Sequence, residues 1–517
     1  SHAAALDFGP FWEGRAMRVP AWYMVSYTVM TMTSSQEAPM PRKQAPPPQA
    51  PVSMFLATLM PIIAAHRPAF RQERTFRRAV ALLVGALVAF ARHTVTQVLL
   101  ALGMHDMDPT ACSRLLRRSR FDEATLNECL VRETLKRCST HDPAVIGIDS
   151  TQIPRRRLTF PGRSWLRARH TAVFQRGIHR AHRCVHCAWL PPRVKGFTRA
   201  IPLRFLPALP PTAAPADARS AKEWEVGLAC IRWMRQQRTA AGRAARWVVV
   251  LADGACATVG MWRGVPAQVA LIVRTARNRC RSLPPPPTGR GRPRRYGKRA
   301  PQPASWLATQ ELFRRKRVLV RGRRIAMRYQ VHGPYLCDGV PDHAVFLIVL
   351  GGATWQRVKR RPRLGRREPA CSLITAVTTD TDWVVPLSVG QILAWVWQCW
   401  EREVAQRELN AGVGVGQNQC WNQRSAVVSG PWRGWVYAVL VLAGYRTWGW
   451  ICGPTRPERW WRGAQRWRFT TRWCSYRAAL WGTAACRSLW TTSADDWLNK
   501  EHTIIALTNA ARAAARA

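Results

Sequence analysis

The stretch Ala144-Val145-Ile146-Gly147-Ile148-Asp149-Ser150-Thr151 decides how the rest of the chain is read. Small and β-branched residues in an unbroken apolar run read as a buried strand, and the run stops on a carboxylate. The pattern recurs in Trp247-Val248-Val249-Val250-Leu251-Ala252-Asp253-Gly254. A single Asp at a strand end is usually a turn or cap residue. Two of them, each closing an apolar run in a chain poor in acids, point to chemistry, because the strand fixes the backbone while the carboxylate leaves the sheet.

The chain has 517 residues, with 79 Lys and Arg against 29 Asp and Glu and a net charge of +50. The excess is spread along the chain and is nearly all Arg. A GC-rich genome accounts for part of the choice of Arg over Lys, but not for the scarcity of acids. The balance implies a polyanionic partner bound in a strongly salt-dependent way. Length alone suggests about three domains and a core large enough to need no disulfide staples. The 15 cysteines are odd in number and irregular in spacing. With no evident secretory signal, this implies a reducing, cytoplasmic compartment. The apolar stretches 79–91 and 436–445 fall short of the roughly 18–20 residues that span a bilayer, so no membrane is expected.

Six regions follow. Residues 1–53 lack periodicity, end Pro-rich, and read as a disordered or spurious extension. Residues 54–140 read as helices that bind DNA or dimerise. Within them, an apolar-periodic helix ending on Gly103 and a second one starting at Asp108-Pro109-Thr110 resemble a helix-turn-helix, with Arg114, Arg117 and Arg118 as its DNA contacts. Residues 141–276 are strands and a helix over 220–238, with Ser220 as its expected N-cap; strands are expected at 171–174 and 184–190. Residues 277–383 read as a β-rich insertion opened by a basic linker. There, Gly289-Arg290-Gly291-Arg292-Pro293-Arg294-Arg295 has the Arg-Gly-Arg-Pro core of a minor-groove hook. Residues 384–450 return to helix, with a packed apolar helix over 432–449, and 451–517 are basic and Trp-rich. Cys184-Val185-His186-Cys187 imitates a zinc half-site but lacks a second pair, and reads better as strand.

Cutting a phosphodiester with two metal ions needs carboxylates converging on ions about 3.5–4 Å apart, and Mg²⁺ takes oxygen ligands. Asp149 and Asp253 supply two. The third is Glu401, Glu403 or Glu408, all on one expected helix; Glu403, Arg407 and Asn410 share one face of it and Glu401 and Glu408 another.

Strands, then a helix, then a strand ending in Asp match the RNase H-like order, and the chain resembles the DDE transposases of bacterial insertion sequences. It is similar to the branch with a β-rich insertion before the catalytic Glu and a Tyr-x2-Arg-x3-Glu-x6-Lys signature. Cys399-Trp400-Glu401-Arg402-Glu403 aligns with that signature, which implies Asp149, Asp253 and Glu403 as catalytic metal ligands for two Mg²⁺ or Mn²⁺ ions. Val396, Cys399 and Asn410 stand where the family has Tyr, Arg and Lys. Phosphate contacts then fall to Arg402, Arg407 and Asn410. The resemblance implies an α/β, RNase H-like mixed sheet with a β-rich insertion behind a helical DNA-binding domain. It implies metal-dependent cleavage at transposon ends and strand transfer, cut-and-paste in style. The partners it implies are double-stranded terminal inverted repeats and target DNA, held by a homodimer. The alternatives are an inactive or domesticated DNA-binding derivative, or a nuclease of the same fold.

Overall fold

The computed structural model describes residues 54–89, 93–101, 108–118, 120–139, 142–154, 162–167, 177–209, 220–286, 292, 294–356, 364–367, 370–378, 382–417, 423–450 and 469–481. The α-helices are α1 (Met54–Ala64), α2 (Glu73–Val88), α3 (Val95–Ala101), α4 (Thr110–Arg117), α5 (Glu123–Leu135), α6 (Glu223–Ala240), α7 (Val259–Gly264), α8 (Pro303–Ala308), α9 (Val389–Gln398), α10 (Trp400–Glu408), α11 (Gln423–Trp448) and α12 (Phe469–Trp481). The chain divides into two compact units. One gathers described residues up to 129, those of 410–429 and those from 436 on; the other holds 130–409 and 430–435.

The first unit is helical. Phe55 of α1 stacks on Trp448 of α11 and meets Tyr476 of α12 edge-on, with centroids at 5.0 and 5.3 Å. The carbonyls at the end of α2 have no partner within the helix. Arg477 of α12 donates to Leu87 O and Ala89 O at 2.7 and 2.6 Å, and Trp473 Nε1 to Leu87 O at 2.5 Å. On α4, Cys112, Leu115 and Leu116 are buried while Arg114, Arg117 and Arg118 are exposed. The α3–α4 connection, residues 102–107, lies outside the described residues. Helix α11 starts nine residues before the expected 432 and carries Pro431 inside it. The proline removes one backbone bond, and burial of the apolar helix offsets the loss. By length and composition Arg424–Trp448 is the one described helix able to cross a membrane, and 94% of its apolar window is buried.

The second unit is built on an eleven-stranded sheet. Its first strands are β1 (Ala144–Pro154), β2 (Ser164–Arg167), β3 (Ile178–Leu190), β4 (Ile201–Pro207), β5 (Val248–Ala252) and β6 (Val269–Thr275). Strand β3 pairs antiparallel with β1 and β4, while β5 runs parallel to β1 and β6 parallel to β5. Three antiparallel strands followed by two parallel ones form the RNase H-like core. Helix α6 covers the face to which Ile148 points, and an added Cβ on its Gly227 would lie 3.5 Å from Ile148 Cγ2. Its N-cap is Lys222 rather than Ser220; the Lys222 N–H donates to Glu225 Oε2 at 2.7 Å, the N3 half of a capping box. Expected strand 184–190 is the end of β3, whereas 171–174 lies outside the described residues.

The insertion is not a separate sheet. Strands β7 (Arg314–Val320), β8 (Arg323–Cys337), β9 (Val340–Gln356), β10 (Leu364–Arg367) and β11 (Ala370–Thr375) extend the core, because β11 pairs antiparallel with both β6 and β9. The order runs β2-β3-β1-β5-β6-β11-β9-β8-β7. Twist accumulates from strand to strand, and the far edge returns to the first strands. The two-residue turn Arg321-Gly322 has φ of 48° and 73°, as a tight hairpin of this hand requires. It meets a second such turn, Lys195-Gly196 with φ of 49° and 76°. Arg321 N donates to Gly196 O at 2.7 Å and Gly322 N to Lys195 O at 2.9 Å.

Candidate active site

Asp149 does not end its strand. Strand β1 runs on to Pro154 because β3 continues to pair with it, as far as Pro154 opposite Ala181. What ends near Asp149 is the parallel pairing with β5, whose last pair is Ile148 with Ala252. Asp149 and Asp253 are the next residues on the two strands, and neighbours in register share a face. Asp149 Oδ1 accepts from Ser150 N at 2.8 Å. Asp253 Oδ1 accepts from Ala255 N at 3.1 Å and caps the turn Gly254–Cys256. Burial first, and then the Asp149 charge, push the Asp253 carboxyl above its ordinary range.

Between these strands and α10 lies Arg402, 4% exposed. Its side chain crosses β1 over Gly147, where a methyl group would overlap its Cδ. Nη1 donates to Ile148 O, and to Leu251 O at 3.4 Å, while Nη2 reaches Cys399 Sγ at 2.8 Å. Burial works against the guanidinium charge, but Cys399, Asp149, Asp253 and Glu403 outweigh it and the pKa is raised. The expectation of a DNA contact for Arg402 is therefore corrected: its donors are spent on strand carbonyls, out of solvent. The sequence hint was Gly147, the one residue in the β1 core without a side chain to block an approaching helix.

Glu401, Arg402 and Glu403 point three ways, as the 100° step of a helix dictates. Glu401 is 2% exposed. It accepts from Arg321 Nε at 2.8 Å and also from Arg321 Nη2, and its Oε2 lies 3.5 Å from Arg199 Nη1. Arg199 Nη1 is also 3.3 Å from Glu408. Glu401 and Glu408 are thus taken up in ion pairs, whereas Glu403, like Arg407 and Asn410, is exposed. All three acids lie on α10, and nothing local in the sequence revealed the arginine partners of Glu401 and Glu408.

Two adjacent carboxylates, one pushed toward protonation by burial and then by the charge of the other, suit a hard divalent cation. Among the described residues no group of three or more His, Cys, Asp or Glu side chains converges as a ready metal cage, so the Asp pair fits such an ion without a gathered third ligand. Cys184, His186 and Cys187 lie on β3 and are buried, and strand alternation sends Cys187 to the face opposite the other two. His186 stands directly opposite Asp149 and stacks on Phe205 at 5.5 Å, a pairing that sequence inspection did not find.

Of the residues expected to form a minor-groove hook, Arg292, Arg294 and Arg295 are exposed; Arg290 lies outside the described residues. Sequence reading also missed the outer face of the β7–β8 hairpin. Cross-strand register puts Arg315, Arg317, Arg324 and Arg328 on one face. The first three are exposed and Arg328 is half-buried over Phe313. Arg315 faces Arg328 directly, a like-charge pair that costs stability.

No curated protein matches the chain. Its family match, described as DDE superfamily endonuclease, runs over residues 66–334, just over half of the chain, and takes in both aspartates but not Glu403. With that match, an RNase H-like core and two neighbouring aspartates on its parallel strands, the chain belongs to the DDE superfamily of endonucleases.

Proposed function

We propose that the protein is a DNA transposase that cuts at the ends of its own mobile element and joins them to target DNA. The observation that carries this is that Asp149 and Asp253 come directly after the last parallel pair of β1 and β5, Ile148 with Ala252, within a chain of net charge +50. In this reading Asp149, Asp253 and Glu403 would hold two Mg²⁺ or Mn²⁺ ions. Such ions, when bound, lower the pKa of water and stabilise charge on the leaving oxygen. Asp149 and Asp253 would hold the ions from the rigid sheet, where the parallel pairing of β1 and β5 ends, and Glu403 would do so from α10. Exposed Arg114, Arg117, Arg118, Arg292, Arg294, Arg295, Arg407 and Asn410, with Arg315, Arg317 and Arg324, would engage the duplex of the terminal inverted repeats and the target. Two ends per event imply a homodimer on DNA, working in a bacterial cytoplasm by cut-and-paste.

The test is cleavage and strand transfer on DNA carrying the element's ends, with Mg²⁺ or Mn²⁺ and with chelator, beside Asp149→Ala. End-specific cuts and joined products that vanish with chelator and in the variant support the reading. Cuts without joined products would leave a nuclease. A second reading, a copy that binds DNA without cutting it, is favoured by Arg402, a fixed cation already beside both aspartates; binding without cleavage in the wild type would establish it.

A further inference from the structure

The helix that bears Glu403 is held from two sides. On one, Arg402 ties it to the carbonyls of β1 and β5. On the other, the tip of the insertion hairpin reaches it through Arg321, whose Nε and Nη2 both donate to Glu401. Arg321 is itself fixed by the paired turns, Arg321 N to Gly196 O at 2.7 Å, and Gln398, at the end of the preceding helix, also donates to Gly196 O. The turns pack so closely that a Cβ on Gly196 would lie 2.6 Å from Leu319 O.

This is an expensive way to hold a helix. A buried carboxylate costs several kcal/mol to desolvate, and apolar residues of like volume are often as stable. Arg321 also adopts φ of 48°, a conformation that side-chain-bearing residues take only at a cost. An ion pair at such a point is a means of fixing direction, a role that buried polar pairs have in some proteins.

We propose that Arg321 is a positioning residue for the candidate metal centre: from the insertion tip it grips Glu401 and so sets the helix that presents Glu403 to Asp149 and Asp253. The inference rests on the metal-dependent reading above. It makes the insertion part of the metal site, although none of its residues is a ligand. Removing a residue that orients a metal ligand typically weakens metal affinity about 10–100-fold.

The experiment is Mn²⁺ titration of the full chain by calorimetry, with hydrogen exchange followed in Trp400–Glu408. Wild type is compared with Arg321→Ala, Arg321→Lys, Glu401→Gln, Glu403→Ala and Asp149→Ala. Arg321→Ala and Glu401→Gln should each lose about tenfold in Mn²⁺ affinity, approach Glu403→Ala, and exchange faster in α10. Arg321→Lys should recover most of the affinity. Unchanged exchange in Arg321→Ala overturns the proposal, and so does faster exchange with unchanged Mn²⁺ affinity, which would make Arg321 a brace only. Wild type that binds Mn²⁺ no better than Asp149→Ala removes the metal reading itself, and this inference with it.

Discussion

The side chain of Arg402 lies across the backbone of Gly147, and the two residues occupy one space: any Cβ at position 147 would overlap the arginine. The contact explains why the Val-Ile-Gly-Ile run of β1 has a glycine at this point. It also turns an apparent DNA-contacting arginine into an internal tie between α10 and both aspartate-bearing strands. Gly147→Ala must push the guanidinium off the carbonyls of Ile148 and Leu251. It should cost about 1–3 kcal/mol, the usual range for overpacking, read as a lower urea midpoint with unchanged slope.

Arg402→Met removes the charge that faces both aspartates and leaves strand carbonyls unpaired. Loss of one side of a buried charge cluster costs about 3–5 kcal/mol, so the melting temperature should fall sharply. DNA affinity at temperatures where the variant is folded should stay at the wild-type level, because the arginine is buried. A tenfold loss of DNA affinity in the folded variant would restore Arg402 as a DNA contact.

The exposed arginines should behave oppositely. Each phosphate contact contributes a slope of roughly 0.9 to the fall of log affinity with log salt. The triple variant Arg315→Ser, Arg317→Ser, Arg324→Ser should flatten that slope by up to about three such contacts, with little change in thermal stability. An unchanged slope in a fluorescence titration against duplex DNA would show that this hairpin face does not meet DNA.

His186 makes stability depend on pH. Burial, resisted by Asp149 and reinforced by Arg402, brings its pKa down to about 4. The unfolded chain therefore binds a proton near pH 6.5 while the folded chain does not until pH 4. Stability present above pH 6.5 is lost as pH falls through that window, by roughly 3 kcal/mol at the acid end if the whole shift is realised. Urea midpoints between pH 7 and pH 4.5 should decline in wild type and flatten in His186→Gln. Parallel declines would assign the acid sensitivity to other groups.

Glu403→Gln should abolish metal-dependent cleavage with the fold intact, whereas Glu401→Gln should lower the melting temperature, since Glu401 is buried between Arg321 and Arg199. Cleavage by Glu403→Gln at wild-type rates would refute its assignment as a ligand.

Much of the core was legible because its signals are local. Unbroken Val and Ile runs marked β1 and β5, and the return of helical period after 383 marked α9 and α10. Ser220 misled because a better-placed Glu225 answers the N–H of Lys222. The Cys184–Cys187 run looked like a ligand set only in one dimension, since a strand turns its neighbours to opposite faces. The reach of β1 beyond Asp149 was hidden because the supporting strand, β3, lies thirty residues on.

The sequence by itself determined which segments become strands and helices, the excess of positive charge, and the two aspartates at the close of apolar runs, because propensity, periodicity and composition act over a few residues. The tertiary structure decided that those aspartates are neighbours, that the insertion joins the core sheet through β11, that Arg402 is internal, and that Glu401 is buried in ion pairs while Glu403 is exposed. These depend on pairings between residues 80 to 250 positions apart, whose free energy exists only once the sheet has closed and water has been excluded from around the charges.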